Sequence, residues 1–292
     1  MNKKSPLISV LMTVYNREKY IAEAIQSVIN STYQNWELII VDDRSKDNSV
    51  AIAKSFEEKD ERIKVYVNEK NLGDYPNRNQ GASYAKGKYI KYVDADDLIY
   101  PYGLEQLVYY MEQFPEAGYG LCSLSQDKTR IYPFQLNQEE AYKSHYFGPN
   151  HIFYKAPLSA ILKKEAFDKV GHFTGKQHLG DFELWHLLSQ QFPVVLMPHG
   201  IVWYREHDDQ QMNDNRTDPF VPFKYILLAE KLLQVAECPL SESERLSALE
   251  KVKKQQGVAV VSAIKHHSFA KAKEMAKASG KSLVEHLKYK FS

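Results

Sequence analysis

Apolar and polar positions alternate along this chain in blocks rather than at random. Leu7 to Val14 is a short apolar run that ends in Tyr15-Asn16-Arg17. Ile21, Ala24, Ile25, Val28 and Ile29 then recur at helical spacing on one face, predicting a helix over about 18–30. Trp36 to Val41 reads as a second buried strand, rich in β-branched and aromatic residues, and stops at Asp42-Asp43-Arg44-Ser45. Helical patterns near 47–59, 75–86 and 102–113 follow, the last after the run Tyr89-Ile90-Lys91-Tyr92-Val93. Strands alternating with helices predict an α/β fold with a mostly parallel sheet.

Farther along the pattern is less regular. It predicts a strand near Ile152 to Leu162, a helix near Asp181 to Gln190, and strands near Val194–Met197 and Gly200–Tyr204. From Pro219 onward the reading is helical, with breaks near Pro239 and Gly280. The expected organisation is a domain over 1–215, in halves of 5–123 and 124–215, and a helical region over 216–292. At 292 residues the chain can bury ample core.

The candidate chemistry sits where strands end. Asp94-Ala95-Asp96-Asp97 closes the run from Tyr89 and crowds three carboxylates into four positions. Such a turn reads either as a site for a hard divalent cation or as a polar turn capping the next helix. Thr13 and Tyr15, then Asp42 and Asp43, close the other two strands, and in open sheets of this kind ligands bind at the carboxyl ends of strands. Three polar clusters converging on such ends favour a binding site over repeated capping.

Several of these pieces, in this order, resemble the family 2 inverting glycosyltransferases, which have the nucleotide-sugar-binding GT-A fold. They are Ser9 to Asn16, Glu37 to Ser45, Asn71-Leu72-Gly73, Arg78-Asn79-Gln80-Gly81, Asp94 to Asp97, Gly180 to Trp185, and Tyr204-Arg205-Glu206-His207. The resemblance covers about residues 5 to 207. It implies a GT-A sheet flanked by helices, with a C-terminal helical appendage, and transfer of a sugar from a nucleoside-diphosphate sugar to a saccharide or lipid-linked acceptor, with surface polysaccharide as the expected product class. It implies Asp181 as general base, although Gly180 stands where the family usually has Glu. It implies Asp43 as acceptor for a uracil N–H, which favours a UDP-sugar, with Thr13 and Tyr15 flanking the base and Arg78 reaching base or diphosphate. Asp94 is expected at the ribose or a metal-bound water. Asp96, Asp97 and His207 are expected to hold Mn2+ or Mg2+, with Asp96 foremost and Asp97 able to exchange roles with it. The rivals are a non-catalytic sugar-nucleotide-binding scaffold on the same fold and a nucleotidyltransferase. The scaffold would lose these carboxylates, and the nucleotidyltransferase would need a glycine-rich loop where Thr13 to Glu18 has no glycine.

Charge refines the picture. The chain carries +1 overall, but residues 251–292 hold ten lysines against Glu274 and Glu285, a net +8 against −7 before them. Val261, Ile264, Phe269, Met275, Leu283 and Leu287 alternate with these lysines. Such helices either pack their apolar side or lie on an anionic membrane surface; packing is the favoured reading. Cys122 and Cys238, two and far apart, indicate no disulfide framework and fit a reducing cytosol. No run is long enough to span a bilayer, so the expected location is cytoplasmic, with peripheral contact at the inner membrane face as the alternative. No Gly-x-Gly-x-x-Gly follows the first strand and no histidine pair has zinc spacing. No nucleic-acid partner is expected.

Overall fold

The computed structural model describes residues 5–207 and 218–291. The chain divides into two compact units, residues 1–205 and 206–292. The boundary expected at 215 falls among residues 208–217, outside the described residues.

In the first unit the alternating pattern becomes β1 (Ile8–Val14), α1 (Ile21–Ile29), β2 (Trp36–Asp42), α2 (Ser49–Glu57), β3 (Ile63–Val67), α3 (Asp74–Ser83) and β4 (Tyr89–Tyr92). A short β5 (Leu98–Ile99) and α4 (Gly103–Gln113) lead to β6 (Tyr119–Leu124), β7 (Phe134–Leu136) and α5 (Gln138–Tyr146). Then come β8 (Ala160–Lys163), α6 (Lys164–Lys169), α7 (Gly180–Gln191), β9 (Val194–Pro198) and β10 (Val202–Trp203). Eight strands form one sheet in the order β3-β2-β1-β4-β8-β6-β9-β7, continuous across residue 123.

The pairings β3–β2, β2–β1, β1–β4 and β6–β9 are parallel. Only β8 and β7 run against their neighbours. Because β8 is antiparallel to both β4 and β6, β6 and β9 point the same way as β1, β2 and β4. All five carboxyl ends therefore lie along one edge of the sheet. The central strands are buried on both faces: Val10, Met12, Leu38, Ile40 and Tyr89 are inaccessible, packed with Ile21, Ile25 and Val28 of α1 and Leu104 and Met111 of α4. This explains why they read as continuous apolar runs.

Two strand expectations change. Between Ile152 and Leu162 only the last residues are extended, because Pro157, which has no N–H for a ladder, starts a 3-10 turn over Pro157–Ser159. Ile152 and Phe153 are apolar for another reason. They are buried outside the sheet, Phe153 against His145 and His186, with ring centroids 4.7 and 4.4 Å apart. The strand expected over Gly200–Tyr204 shrinks to β10, which pairs with β5 rather than with the main sheet. That pairing anchors the segment leading into Arg205.

The second unit is helical: α8 (Phe220–Gln234), α9 (Glu242–His266), α10 (Phe269–Ser279) and α11 (Leu283–Phe291). The interruptions expected near Pro239 and Gly280 occur, Gly280 in the left-handed conformation with φ 69°. A further one follows His266, where Ser268 caps α10 by accepting from the Lys271 N–H at 3.1 Å. Phe223, Val260, Ala263, Ala272 and Met275 form the core. The apolar positions of the basic tail divide. Met275 and Val261 are buried, whereas Ile264, Phe269 and Leu287 stay exposed among lysines. No helix among the described residues is long and apolar enough to cross a membrane.

Candidate active site

The loops leaving β1 and β2 are laced into one rim. The Asn16 N–H donates to Ser45 Oγ at 2.9 Å, Asn16 Oδ1 accepts from Lys46 N at 2.8 Å, and the Arg17 N–H donates to Ser49 Oγ at 2.8 Å. Asn16 takes the left-handed conformation (φ 52°), which a short amide side chain tolerates, and this turns the chain sharply off the strand. Tyr15 consequently stands at the rim with its ring exposed. Thr13 lies two residues earlier, within β1, its hydroxyl 3.5 Å from Asp94 Oδ1.

Asp43 is buried at the end of β2 and organises the next loop. Its Oδ1 accepts from Leu72 N at 2.7 Å and Asn68 Nδ2 at 2.9 Å, and its Oδ2 accepts from Gly73 N at 2.8 Å. Asn71 closes the loop by donating to the Asp43 carbonyl at 3.0 Å. Gly73 sits at φ 87°, a conformation that favours glycine, immediately before α3. The Asn71-Leu72-Gly73 segment is therefore built around Asp43. An ionised carboxylate offers about four lone-pair positions; three are used, and Oδ2 keeps one for a further donor. Asp43→Ala would strand two backbone N–H groups, so it is expected to lower stability by about 2–4 kcal/mol, read as a lower urea midpoint.

α3 carries the cationic side of the site. Arg78 is buried, not a surface arginine. Its Nε donates to Asp74 Oδ1 at 2.8 Å and its Nη1 to Asp94 Oδ1 at 2.7 Å. Burial opposes its charge, but Asp74 and Asp94 hold its pKa above the ordinary arginine value. Each carboxylate of the acidic turn has its own partner. Asp96 Oδ2 accepts from Arg17 Nε at 2.8 Å. Asp97 is buried and accepts from the Arg205 N–H at 2.9 Å, while Arg205 Nε donates to the Asp96 carbonyl at 2.9 Å. Burial, then the neighbouring Asp94 carboxylate, push Asp97 up to about 7. Beneath the turn, the fully buried Lys91 is tied to the carbonyls of Leu158 and Ala160, and burial pushes it down to about 8.

These carboxylates are hard oxygen donors of the kind Mg2+ and Mn2+ prefer, and Asp94 and Asp96 keep 21% and 14% of their side chains accessible. The donor set fits a divalent ion that takes one or two protein carboxylates and completes its shell with phosphates and water. It does not form an all-protein cage: among the described residues no three acidic, His or Cys groups converge. Asp97, turned to the Arg205 backbone, is the less accessible of the expected ligands. His207 belongs to the second unit.

Asp181 enters from the other side. It lies in the first turn of α7, whose buried residues Phe182, Leu184, Trp185 and Leu188 fix the helix against the sheet. The N-cap position is Leu179, and no side chain caps this helix, so Asp181 is not an N-cap. Its Oδ1 accepts from Tyr75 Oη at 3.2 Å and from the Phe182 N–H at 2.7 Å. Burial pushes its carboxyl up to about 6, against the lowering effect of those two hydrogen bonds and of Arg78. Tyr75 and Arg78 are both on α3, so Asp181, Tyr75, Arg78, Asp94 and Thr13 form one connected set. A separate cleft of about 910 Å³ opens at the carboxyl ends of β6 and β9, lined in part by Ser123, Lys128, Arg130, Tyr132 and His199. None of the strand-end residues named above lines it.

The structure thus gathers Thr13, Asp94 and Arg78 with Asp181, and places Tyr15, Asp43, Asp96 and Asp97 on the loops of the same sheet edge. Arg17, Tyr75, Asp74 and Lys91 were not singled out from the sequence. Asp74, four residues before Arg78, carried a helical-pair signal. Arg17, just past a strand end, carried a positional one. Tyr75 and Lys91 carried none.

A mostly parallel sheet with carboxylates and arginines along its carboxyl edge defines an α/β fold with a polar candidate site at its strand ends. The pattern of Glycosyl transferase family 2 matches residues 9–179, and the chain belongs to that family. It is similar to the putative teichuronic acid biosynthesis glycosyltransferase TuaG of Bacillus subtilis, 36% identical over 157 residues, which are 51% of this chain and 62% of that one. Other curated relatives are likewise matched over part of their length, 52% of one and 73% of another. Among solved structures, S. aureus TarS 1-349 in complex with UDP-GlcNAc superposes with a TM-score of 0.73 at 17% identity, covering 93% of this chain and 79% of that one. The mannosyltransferase PcManGT from Pyrobaculum calidifontis, in complex with GDP-Man and Mn2+, superposes with 0.64 at 15% identity, covering 99% and 83%. The fold is GT-A.

Proposed function

We propose that this glycosyltransferase moves a sugar from a UDP-sugar to a hydroxyl of a saccharide or lipid-linked acceptor by a single displacement with inversion. The observation that carries this reading is Asp181, a carboxyl that burial pushes up to about 6 and that is joined through Tyr75 and Arg78 to the acidic turn at the donor edge. The remaining acceptor position on Asp43 Oδ2 takes the uracil N–H, and Tyr15 offers its exposed ring to the base. Arg78 fixes Asp94 toward the ribose. Asp96 would hold the divalent ion, with Asp97 as its further expected ligand. When bound, that Mn2+ or Mg2+ supplies Lewis-acid stabilisation of charge on the departing diphosphate. Asp181 accepts the proton of the acceptor hydroxyl as its oxygen attacks the anomeric carbon from the face opposite the diphosphate.

The cleft beside β6 and β9 gives the acceptor a place on the same edge. TuaG, as a relative in a polysaccharide pathway, supports a cell-surface polysaccharide as the product class. Two unpaired thiols are compatible with a reducing cytoplasm, and exposed Phe269 and Leu287 among lysines support peripheral contact with anionic lipid.

The pH dependence follows from the sign of the Asp181 shift. Only the ionised carboxylate accepts a proton, so kcat/KM is expected to fall about tenfold per pH unit below about 6. Stability responds the opposite way. The folded pKa lies above the ordinary value of about 3.9, so the folded state holds the proton between about pH 4 and 6. This group's stabilising contribution is full below about 4 and is lost as pH rises through about 6. A pH series of UDP release from UDP-sugar, with urea melts in the same buffers, measures both.

A further inference from the structure

The sequence leaves the expected acidic pair at one position, Gly180, and the structure gives a reason for the glycine. Tyr75, on the first turn of α3, lays its ring directly against the Gly180 backbone. A Cβ built at Gly180 would come within 2.8 Å of three Tyr75 ring carbons, closer than such contacts ever occur. The backbone conformation of Gly180 is not in the positive-φ set, so the glycine answers a need for space rather than for an unusual dihedral. The ring is buried, 6% exposed, and backed by Phe173 at a centroid distance of 5.0 Å. Seated there, its hydroxyl donates to Asp181 Oδ1 at 3.2 Å.

We propose that Tyr75 is the positioning residue of Asp181, and that Gly180 leaves the space the Tyr75 ring needs to reach it. This rests on the reading of Asp181 as the proton acceptor. The hydroxyl does two things. It fixes which oxygen of Asp181 is engaged and leaves Oδ2 for the acceptor, and it favours the ionised form, because a donated hydrogen bond stabilises charge on the carboxylate. Tyr75 itself stays protonated: burial and then the Asp181 charge raise its pKa far above that of an ordinary tyrosine. It is a donor at every working pH.

The other charged groups facing Asp181 come from α3. Asp74 opposes its ionisation, and Arg78 favours it. On its own helix, Glu183 is occupied by Lys176 and Thr174. Of these groups only Tyr75 and the Phe182 N–H contact the carboxylate, and only Tyr75 can be altered by substitution without touching the backbone.

The test is a carboxyl ¹³C NMR titration of Asp181 in wild type and Tyr75→Phe, together with the pH profile of UDP release. Tyr75→Phe keeps the ring and its packing and removes only the hydroxyl. The expected result is a rise of about one unit in the Asp181 midpoint and the same displacement of the acidic limb of kcat/KM. Below both midpoints that is about a tenfold loss of rate, recovered at high pH, with the Kd for UDP unchanged. Gly180→Ala, which pushes the ring off its seat, is expected to move the midpoint in the same direction. It should add little in the Tyr75→Phe background, since the hydroxyl is already gone. An Asp181 midpoint that stays put in Tyr75→Phe, in protein that melts as wild type does, overturns the proposal. Asp181→Asn separates the two levels of the reading. If that variant is inactive while Tyr75→Phe titrates as wild type, only the positioning role fails. If Asp181→Asn retains full turnover, the proton-acceptor reading fails with it.

Discussion

Asp181→Asn is expected to reduce turnover by about 10²–10⁴-fold while leaving the Kd for UDP within about twofold of wild type. Asparagine has nearly the shape of aspartate and can still accept from Tyr75 Oη and the Phe182 N–H, so the local hydrogen bonds survive. What is lost is a group able to take a proton. The burial that pushes Asp181 up to about 6 makes an uncharged replacement inexpensive, and α7 is expected to stay in place on Leu184, Trp185 and Leu188. Asp181 has no contact with the loops around Asp43 that would hold the nucleotide, which is why binding is spared. Comparing single-turnover rates with UDP affinity by titration calorimetry reads the two effects separately. A parallel loss of UDP affinity would mean that Asp181 holds the donor rather than acting on the acceptor.

The second large effect is expected at Asp96. In the protein alone its carboxylate is paired with Arg17 Nε at 2.8 Å, while Arg17 Nη1 is held by the carbonyls of Tyr15 and Asn16 at 3.3 and 3.2 Å. Arg17 thus neutralises the Asp96 carboxylate, and a cation binding there would have to compete with it. Charged phosphate oxygens of a bound donor would offer a ligand to the cation and a new partner to the guanidinium. Asp96→Asn removes the proposed anionic ligand and leaves Arg17 without its carboxylate. The affinity for UDP in the presence of Mn2+ is expected to fall about 100-fold, or about 2.7 kcal/mol. UDP affinity without metal should hardly change. Mn2+ electron paramagnetic resonance, with and without UDP, reports the ion directly. Equal Mn2+ uptake by wild type and variant would remove Asp96 from the metal site.

How much of this was legible beforehand depended on whether the signal was local. The strands β1, β2 and β4 and the first four helices could be read because those strands are buried on both faces and end abruptly in polar turns. The same convergence marked Asp43, Asp94, Asp96 and Asp97. The stretch around Ile152 and Phe153 misled because burial against aromatic rings leaves the same apolar trace as burial in a sheet. β3, with only Ile63 buried, and the three-residue β7 lie at the two edges of the sheet and went unread. The roles of Tyr75 and Lys91 depend on partners more than 60 residues away, Asp181 for one and Leu158 and Ala160 for the other. No spacing rule reaches that far. Gly180 is the instructive case: the sequence showed a departure from the family, and only the Tyr75 ring shows what the departure accommodates.

Binding of a nucleoside-diphosphate sugar with a divalent ion at the carboxyl edge of this sheet is directly measurable. Melting temperature under a panel of UDP-, GDP- and TDP-sugars, with and without Mn2+, tests it without needing the acceptor. A ligand that binds only the folded chain raises the melting temperature with its concentration, by about 2.7 kcal/mol of stability at a hundred times its Kd. The expected result is a Mn2+-dependent rise for UDP-sugars above all others. A melting temperature unmoved by every nucleotide, with and without the metal, would mean that this edge is not a nucleotide-sugar site.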